Sequence, residues 1–177
     1  MFDDTDLQIL ELLQADARLP NAEIARRLGM AASAIHERVK KLEARGLIQG
    51  YEARLDPAPF GRKLLAFVFV RADELPGEAT AGDRLAEIPE VLEVHHVAGE
   101  DCYLVKLRCA DTDELARLLR HSFGNIPSVR STRTTIVLGT LKETGRLPIG
   151  APAIGAPAVG APAIGAPALA AAEVGHG

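Results

Sequence analysis

Apolar residues recur at helical spacing near the N-terminus of the chain. Leu7, Leu10 and Leu13 lie on one side of a helix that this spacing predicts over residues 4–17. Asp3 precedes the run and is the predicted N-cap, because a short carboxylate side chain can accept hydrogen bonds from the first free N–H groups of a helix. The first predicted element is therefore a short amphipathic helix.

Two more helices follow. Asn21 is predicted to cap a short helix that ends at Gly29, a residue type that tolerates the positive φ common after a last helical turn. The next helix is predicted over residues 32–44. Its buried stripe has spacing i, i+4 and i+7 and consists of Ile35, Val39 and Leu42. Two helices joined by a tight turn after a first helix predict a helix-turn-helix.

The pattern changes after the third helix. Residues 49–59 are polar, and Pro57 and Pro59 disfavour a helix, so we predict a connecting strand and hinge. This divides the chain into four predicted segments: a helical domain at 1–50, the connection at 51–62, a second domain at 63–144 and a tail at 145–177.

The second domain alternates strand and helix patterns. The predicted strands are 64–71, 91–97, 102–109 and 129–141, and the predicted helices are 80–88 and 112–123. The order βαββαβ is typical of the ferredoxin-like fold, so the predicted class is α+β. The first strand is apolar on both faces, which predicts that Leu65, Phe67 and Phe69 meet another subunit.

The tail has a five-residue repeat. The unit Ile149-Gly150-Ala151-Pro152-Ala153 recurs with a proline in each copy, which excludes regular helix and sheet. The segment also lacks the bulky side chains needed for a core. We predict a disordered Pro/Ala/Gly tail, either a spacer, a docking segment or an extension without function.

Composition restricts the class of protein. The 177 residues have a formal net charge of −4 and no tryptophan. Eight basic and four acidic residues between Arg18 and Arg54 give that segment about +4. No run is long and apolar enough to span a membrane, and the N-terminus lacks the basic start of a signal peptide. Cys102 and Cys109 are predicted on opposite faces of one strand and so cannot pair with each other, which fits a reducing compartment. The expected location is cytoplasmic and nucleoid-associated.

The third helix presents a polar face opposite its buried stripe. Small and basic side chains on a helix that follows a tight turn are what reading of the DNA major groove requires. A solvated surface on a small helical bundle is the alternative from these residues alone. The predicted contacts with double-stranded DNA are Asn21, Ser33, His36, Glu37, Arg38, Lys40 and Lys41.

Short motifs along the first 144 residues match the sequence pattern of one known family. They include Asp6-Leu7-Gln8-Ile9-Leu10, Leu28-Gly29-Met30, Glu37-Arg38-Val39-Lys40-Lys41-Leu42-Glu43, Gly46-Leu47-Ile48, Leu55-Asp56-Pro57, Gly99-Glu100-Asp101-Cys102-Tyr103 and Ser131-Thr132-Arg133-Thr134-Thr135. The chain resembles the Lrp/AsnC, or feast/famine, transcriptional regulators. The resemblance implies a winged-type helix-turn-helix, a connecting strand and a ligand-sensing ferredoxin-like domain. It also implies dimerisation through the sheets and further even-numbered assembly.

The chain departs from the usual family pattern in the third helix. Ala31-Ala32 stands where many members have Ser-Pro, which removes a good N-cap worth about 1 kcal/mol. His36 stands where many members have an apolar residue. Arg38 lies at the edge of the buried stripe, so we expect it to pair with Glu43 or a phosphate rather than read a base.

A second candidate site lies in the C-terminal domain. Carboxylates suit an ammonium group, while hydroxyls and a glycine-flanked backbone suit a carboxylate, so the chemistry fits a free amino acid. The alternative is an ordinary turn beside strand threonines, and the family resemblance favours the ligand. The predicted effector contacts are Gly99, Glu100, Asp101, Cys102, Tyr103, Thr132 and Thr134.

Other functions have weaker support. Siroheme decarboxylases resemble this chain in their two-domain architecture. The pair His95 and His96 is the feature that leaves such an enzyme as an alternative. Neighbouring strand residues point to opposite faces, however, so the two histidines are not expected to share a metal. We predict no catalytic residue, no metal and no cofactor, and no membrane partner. An architectural DNA-binding protein without an effector is the remaining alternative.

Overall fold

The computed structural model describes residues 3–74 and 80–150. They form two compact units, which we call the N-terminal unit (3–52 with 146–150) and the C-terminal unit (53–74 with 80–145). The repeat from residue 151 onward, including its predicted disorder, lies outside the described residues.

Three helices build the N-terminal unit: α1 (Asp4–Ala15), α2 (Asn21–Leu28) and α3 (Ala32–Ala44). All three predicted helices are confirmed, although α1 ends two residues early because Asp16 has an extended backbone. The predicted stripe of α1 is partly wrong, since Ile9 is fully buried whereas Leu7 and Leu10 are only half-buried. The core of this unit contains Ile9, Leu13, Ile24, Ala25, Ile35, Val39 and Leu42.

The ends of α2 differ in how well they were predicted. Asn21 is the first helical residue rather than the N-cap, and Pro20 takes the cap position without a side-chain bond. The Pro20 carbonyl accepts from the N–H groups of Glu23 and Ile24 at 2.9 and 3.1 Å, so the first turn closes on the backbone alone. At the other end Gly29 has φ 66°, as predicted for a glycine that closes a helix.

An ion-pair cluster ties α3 to the start of α1. Asp3 and Asp6 form a capping box, in which each carboxylate accepts from the other residue's backbone N–H. Arg38 Nη1 donates to Asp3 Oδ2 at 2.8 Å and to Asp6 Oδ1 at 2.7 Å. The expectation that Arg38 pairs with Glu43 is therefore wrong. The pKa of Asp3 is lowered by the Asp6 N–H and then by Arg38.

The connection between the units contains no strand among the described residues 45–63. The predicted connecting strand is thus wrong. A 3-10 turn forms at Ala58–Phe60, although Pro57 and Pro59 were expected to disfavour a helix there. The reason is that N–H groups in a first helical turn have no acceptor within the helix. Pro57 and Pro59 lack an N–H, so no hydrogen bond is lost at these positions. Gly61 ends the turn with φ 70°.

The C-terminal unit is a four-stranded antiparallel sheet with two helical segments, which confirms the βαββαβ order. The spatial order of the strands is β2-β3-β1-β4. The elements are β1 (Leu64–Ala72), α4 (Thr80–Ala86), β2 (Val91–His96), β3 (Tyr103–Cys109), α5 (Thr112–Arg117) and β4 (Val129–Ile136).

Several predicted ends are too long. β4 was expected to reach Leu141 but stops at Ile136, because its neighbour β1 begins at Leu64 and offers only one further bond, from Val137 N to Leu65 O. The predicted helix 112–123 changes to a π-helical turn at Leu118–Phe123. The wider turn lets both Leu118 and Phe123 reach the core. No helix within residues 3–74 and 80–150 could cross a membrane.

The two faces of the sheet have different partners. One face packs on the helices through alternate strand residues, and its core contains Ala66, Val68, Val70, Tyr103, Val105, Leu107 and Cys109 beside Leu85, Leu115 and Phe123. The other, which we call the open face, carries Leu65, Phe67 and Phe69 of β1. Glu143 lies against this face, because it pairs with Lys106 and Arg108 of β3. Leu65 is buried, while Phe67 and Phe69 stay partly accessible.

We predict that Arg38→Gln loosens α1 specifically. Arg38 keeps 31% of its side chain exposed, so solvent screening limits the loss to about 1 kcal/mol. Hydrogen exchange of the α1 amides should then become about 5-fold faster. Equal exchange in Arg38→Gln and in the control Lys40→Gln, which alters an exposed residue of the same helix, would show that the cluster is not stabilising.

The same cluster has a definite pH dependence. Because Asp3 has a lower pKa when folded than its ordinary 3.8, its contribution is present above that value and disappears as the pH falls through the folded pKa. The difference in exchange rate between wild type and Arg38→Gln, corrected for intrinsic exchange, should therefore narrow as the pH falls below the ordinary 3.8 of an aspartate. A difference that grows on acidification would contradict the assignment.

Candidate nucleic-acid interface and effector region

The polar face of α3 points outward as predicted. Ile35, Val39 and Leu42 are buried at 0, 7 and 1% exposure, which fixes the orientation of the helix about its axis. The predicted DNA contacts that stay exposed on α3 are Ser33, His36, Glu37, Lys40 and Lys41. The structure thus brings five of the seven predicted DNA contacts onto one exposed surface.

The positive charge of this region is unevenly available. Arg26 and Arg27 of α2 each lie 2.8 Å from Glu23. Arg26 and then Arg27 lower the pKa of Glu23 to about 2, so this carboxylate stays ionised and partly neutralises both cations. Lys40 and Lys41 have no ion-pair partner among the described residues. The outward face of α3 therefore provides two exposed cations that no ion pair within the described residues neutralises.

Arg38 is the exception among the predicted contacts on α3. Its guanidinium is turned toward the start of α1, where Asp3 and Asp6 occupy its donors. These ion pairs raise the pKa of Arg38, with the Asp6 hydrogen bond as the larger cause. In this structure Arg38 stabilises the helical unit and does not lie on the exposed surface of Ser33 to Lys41.

Asn21 lies beside the outward face of α3. Its side-chain Nδ2 is 3.4 Å from Nδ1 of His36, which joins the start of α2 to the second turn of α3. Asn21 is half-buried and His36 is exposed. The structure therefore places Asn21 with the predicted DNA contacts, although it lies fifteen residues earlier in the chain.

The start of α3 forms without a side-chain cap. Ala31 is the N-cap, and its carbonyl accepts from Ala34 N at 3.0 Å and from Ile35 N at 3.2 Å. A missing cap costs about 1 kcal/mol, whereas full burial of an isoleucine contributes about 1.5–3 kcal/mol. Burial of Ile35 alone is thus sufficient to keep the first turn of α3 in place.

The predicted effector loop is a tight connection between β2 and β3. Val97 N donates to Cys102 O at 2.9 Å, which closes the loop, and Gly99 adopts φ +139°. Glu100 is exposed. Asp101 is half-buried and accepts from Arg133 Nη2 at 2.8 Å. The loop therefore presents Asp101, which is already paired, and Glu100, whose carboxylate has no hydrogen-bond or ion-pair partner within the described residues.

The predicted threonines lie on the other side of the sheet from that pair. In the register of β4, Thr132 and Thr134 are opposite Val70 and Val68, whose side chains face the helices. Arg133 is opposite Phe69 and lies on the open face with Asp101. A single chain thus divides the predicted effector contacts between two faces.

Tyr103 and Cys102 lie inward. Tyr103 is 2% exposed, and its hydroxyl donates to Glu74 Oε2 at 2.6 Å. Burial, followed by the Glu74 hydrogen bond, raises the pKa of Tyr103 to about 12. The Sγ of Cys102 donates to Ala72 O at 3.2 Å. The alternation of Tyr103 with buried residues of β3 is a sequence signal that would have placed it in the core.

Arg133 is a candidate that the sequence reasoning did not single out. Its guanidinium carbon lies 4.2 Å above the centre of the Phe69 ring, in addition to its bond with Asp101. The available signal was its position between two threonines, which puts it on the opposite face of the strand. The cation is held at the open face and keeps 66% of its side chain exposed.

The two adjacent histidines of β2 are separated as predicted. His95 lies 3.2 Å from Glu93, and these residues share the open face with Lys106. His96 stacks on Tyr103 with ring centroids 5.1 Å apart, on the helix-facing side. Within residues 3–74 and 80–150, no group of three His, Cys, Asp or Glu residues is placed to hold a metal ion.

Comparison with known proteins covers both units. A family model described as the Lrp/AsnC ligand binding domain matches residues 65–147, and one described as winged helix-turn-helix DNA-binding matches residues 2–49. The HTH-type transcriptional regulator FL11 of Pyrococcus horikoshii is 40% identical over 147 residues, which span 83% of this chain and 96% of that relative.

Solved structures give the same result. The feast or famine regulatory protein from M. tuberculosis complexed with L-methionine is 37% identical and has a TM-score of 0.76, covering 83% of this chain and 99% of that one. The transcriptional regulator from Neisseria meningitidis in its L-Met complex is 28% identical with a TM-score of 0.77, covering 85% and 98%.

The element order of the two units and the matches to known proteins give the same assignment over most of the described residues. The protein belongs to the Lrp/AsnC family of transcriptional regulators, with an N-terminal DNA-binding helix-turn-helix and a C-terminal ligand-binding domain.

Proposed function

We propose that this regulator recognises specific DNA sequences with the outward face of α3 and that a free amino acid, bound by the C-terminal unit, modulates this recognition. The observation that supports the DNA-binding part is the exposed face of α3, where Lys40 and Lys41 have no ion-pair partner within the described residues. A helix with small side chains near its start and cations further along fits the major groove.

We predict that changing Lys40 and Lys41 together to Ala weakens DNA binding. Each lysine that contacts a phosphate releases about one counterion, so the slope of log affinity against log salt should fall by up to about two. Fluorescence anisotropy with duplex DNA over a salt series measures both quantities.

The matched control is Lys63→Ala with Lys142→Ala. These exposed lysines belong to the C-terminal unit, and their removal changes the net charge by the same amount. A similar fall in slope for both double variants would mean that overall charge, rather than the face of α3, accounts for the effect.

The amino-acid effector is supported by the two similar structures that contain L-methionine. In this chain Glu100 and Asp101 suit the ammonium of an amino acid, and Thr132 and Thr134 can donate to its carboxylate. Because Asp101 is paired with Arg133 on the open face while Thr132 and Thr134 lie on the helix-facing side, we do not expect one small molecule to contact all three within a single chain. We therefore assign the effector site to a contact between copies, where β4 and the β2–β3 loop come from different chains.

A double variant of Thr132 and Thr134 to Val tests this site. Valine keeps the shape of the side chain and removes only the hydroxyl, so we expect the amino-acid affinity to fall about 5- to 10-fold. Thr112→Val is the matched control, because Thr112 is an exposed threonine at the start of α5, outside β4 and the β2–β3 loop. Gly99 is a poor site for such a test, since its φ of +139° strains any replacement.

The measurement is calorimetric titration of the common amino acids, followed by DNA binding with the best ligand. A coupling of about 1–3 kcal/mol would change DNA affinity some 5- to 150-fold. Ligand binding that is unaffected by the Thr132 and Thr134 changes would refute the placement. DNA binding that no amino acid alters would favour an architectural DNA-binding protein instead.

We also propose an even-numbered homo-oligomer assembled on the open face. Phe67 and Phe69 remain partly accessible there, and Leu138 and Leu141 just after β4 are 101 and 95% exposed. Accessible apolar side chains that lie close together on a surface often mark a protein interface. A two-fold assembly would also present two α3 helices to the two halves of a near-palindromic site.

Light scattering should then report at least twice the chain mass of 18.8 kDa at micromolar concentration. Phe69→Asp places a charge on the open face and should shift the protein toward monomer, whereas Ala86→Asp, at an exposed position of α4, should not. A monomeric wild type, or equal behaviour of the two variants, would contradict this assembly.

A further inference from the structure

One side-chain contact joins the two helices of the helix-turn-helix on the exposed side. Asn21 begins α2 and His36 lies in the second turn of α3, and their nearest side-chain atoms, Nδ2 and Nδ1, are 3.4 Å apart. The other ring nitrogen of His36, Nε2, has no hydrogen-bond partner within the described residues. His36 is exposed beside Ser33, Glu37 and Lys40.

The orientation of the Asn21 amide in this contact favours one form of the imidazole. Its Nδ2 is turned toward His36, and because an amide nitrogen donates hydrogen bonds and does not accept them, Nδ1 of His36 is the acceptor in this arrangement. A neutral imidazole with an acceptor at Nδ1 carries its proton on Nε2. With this amide orientation, Asn21 favours the form of His36 that presents an N–H donor on its other side.

A fixed donor on the recognition helix discriminates between bases. In the major groove guanine offers two adjacent acceptors, N7 and O6, whereas cytosine presents the N4 amino donor. An Nε2–H group pairs with the former and opposes the latter. An imidazole free to exchange its proton between the two nitrogens would accept as well as donate and would discriminate less.

We infer that His36 reads a guanine through Nε2–H and that Asn21 is the positioning residue that keeps the imidazole in this form. The inference rests on the proposed role of the α3 face and adds the base that one residue recognises. A single hydrogen bond gives a preference for guanine over cytosine of about 2- to 10-fold at one position of each half-site.

The experiment is selection of bound duplexes from a double-stranded DNA library with a randomised central region. The proteins are the full-length wild type, His36→Phe, Asn21→Ala and the control His121→Phe, which alters an exposed histidine of the C-terminal unit. Phenylalanine keeps a ring and removes both nitrogens. Competition between duplexes with guanine or cytosine at the position found then gives the fold preference.

We expect His36→Phe to remove the guanine preference at one position per half-site and Asn21→Ala to weaken it at that same position. The rest of the selected motif should persist in both, which shows that the variants are folded. Nitrogen-15 spectra in mildly alkaline buffer should show a larger share of the His36 proton on Nε2 in the wild type than in Asn21→Ala. A merely structural Asn21 would change neither the base preference nor the proton position.

Three results would overturn the inference. They are an unchanged motif in His36→Phe, a preference that survives in full in Asn21→Ala, and a proton found mainly on Nδ1 of the wild type. Failure of the proposed function would give a different selection result. A wild type that enriches no motif would show that the α3 face does not recognise DNA sequence at all.

Discussion

Burial of one stripe of α3 determines what the N-terminal unit can present to a partner. A helix turns by about 100° per residue, so fixing Ile35, Val39 and Leu42 in the core leaves no freedom in the direction of the other side chains. His36 and Lys40 point outward for this reason. The same rotation places Arg38 at the margin of the core, within reach of the start of α1. Stability and recognition on this helix therefore follow from one packing constraint.

The C-terminal unit depends on the corresponding constraint of a strand, whose side chains alternate between two faces. Burial of Val68 and Val70 against the helices sends Phe69 to the open face, and β4 follows its neighbour residue by residue. Thr132 and Arg133 are adjacent in sequence and yet belong to different surfaces. The pleat of the sheet therefore distributes the predicted effector groups between two surfaces, which is why we propose a site shared between copies.

Sequence periodicity predicted the elements well and their partners poorly. The three helices, the order of the C-terminal strands and the opposite directions of His95 and His96 all follow from local spacing, which a single sequence contains. The pairing of Arg38 with Asp3 depends on how α1 and α3 pack, across 35 residues of chain, and no local pattern encodes it. The end of β4 at Ile136 similarly depends on where β1 begins. The DNA and effector contacts themselves stay predictions.

These two constraints also limit how an effector can act in this architecture. A ligand shifts an equilibrium only if it binds one state better than another, and the site that we propose between copies would exist only in the assembled state. Effector binding and assembly are then coupled in both directions by the same factor. A ligand that completes such a site stabilises the arrangement of copies that forms it. It would thereby change how many α3 helices meet the DNA together, without altering any side chain on α3.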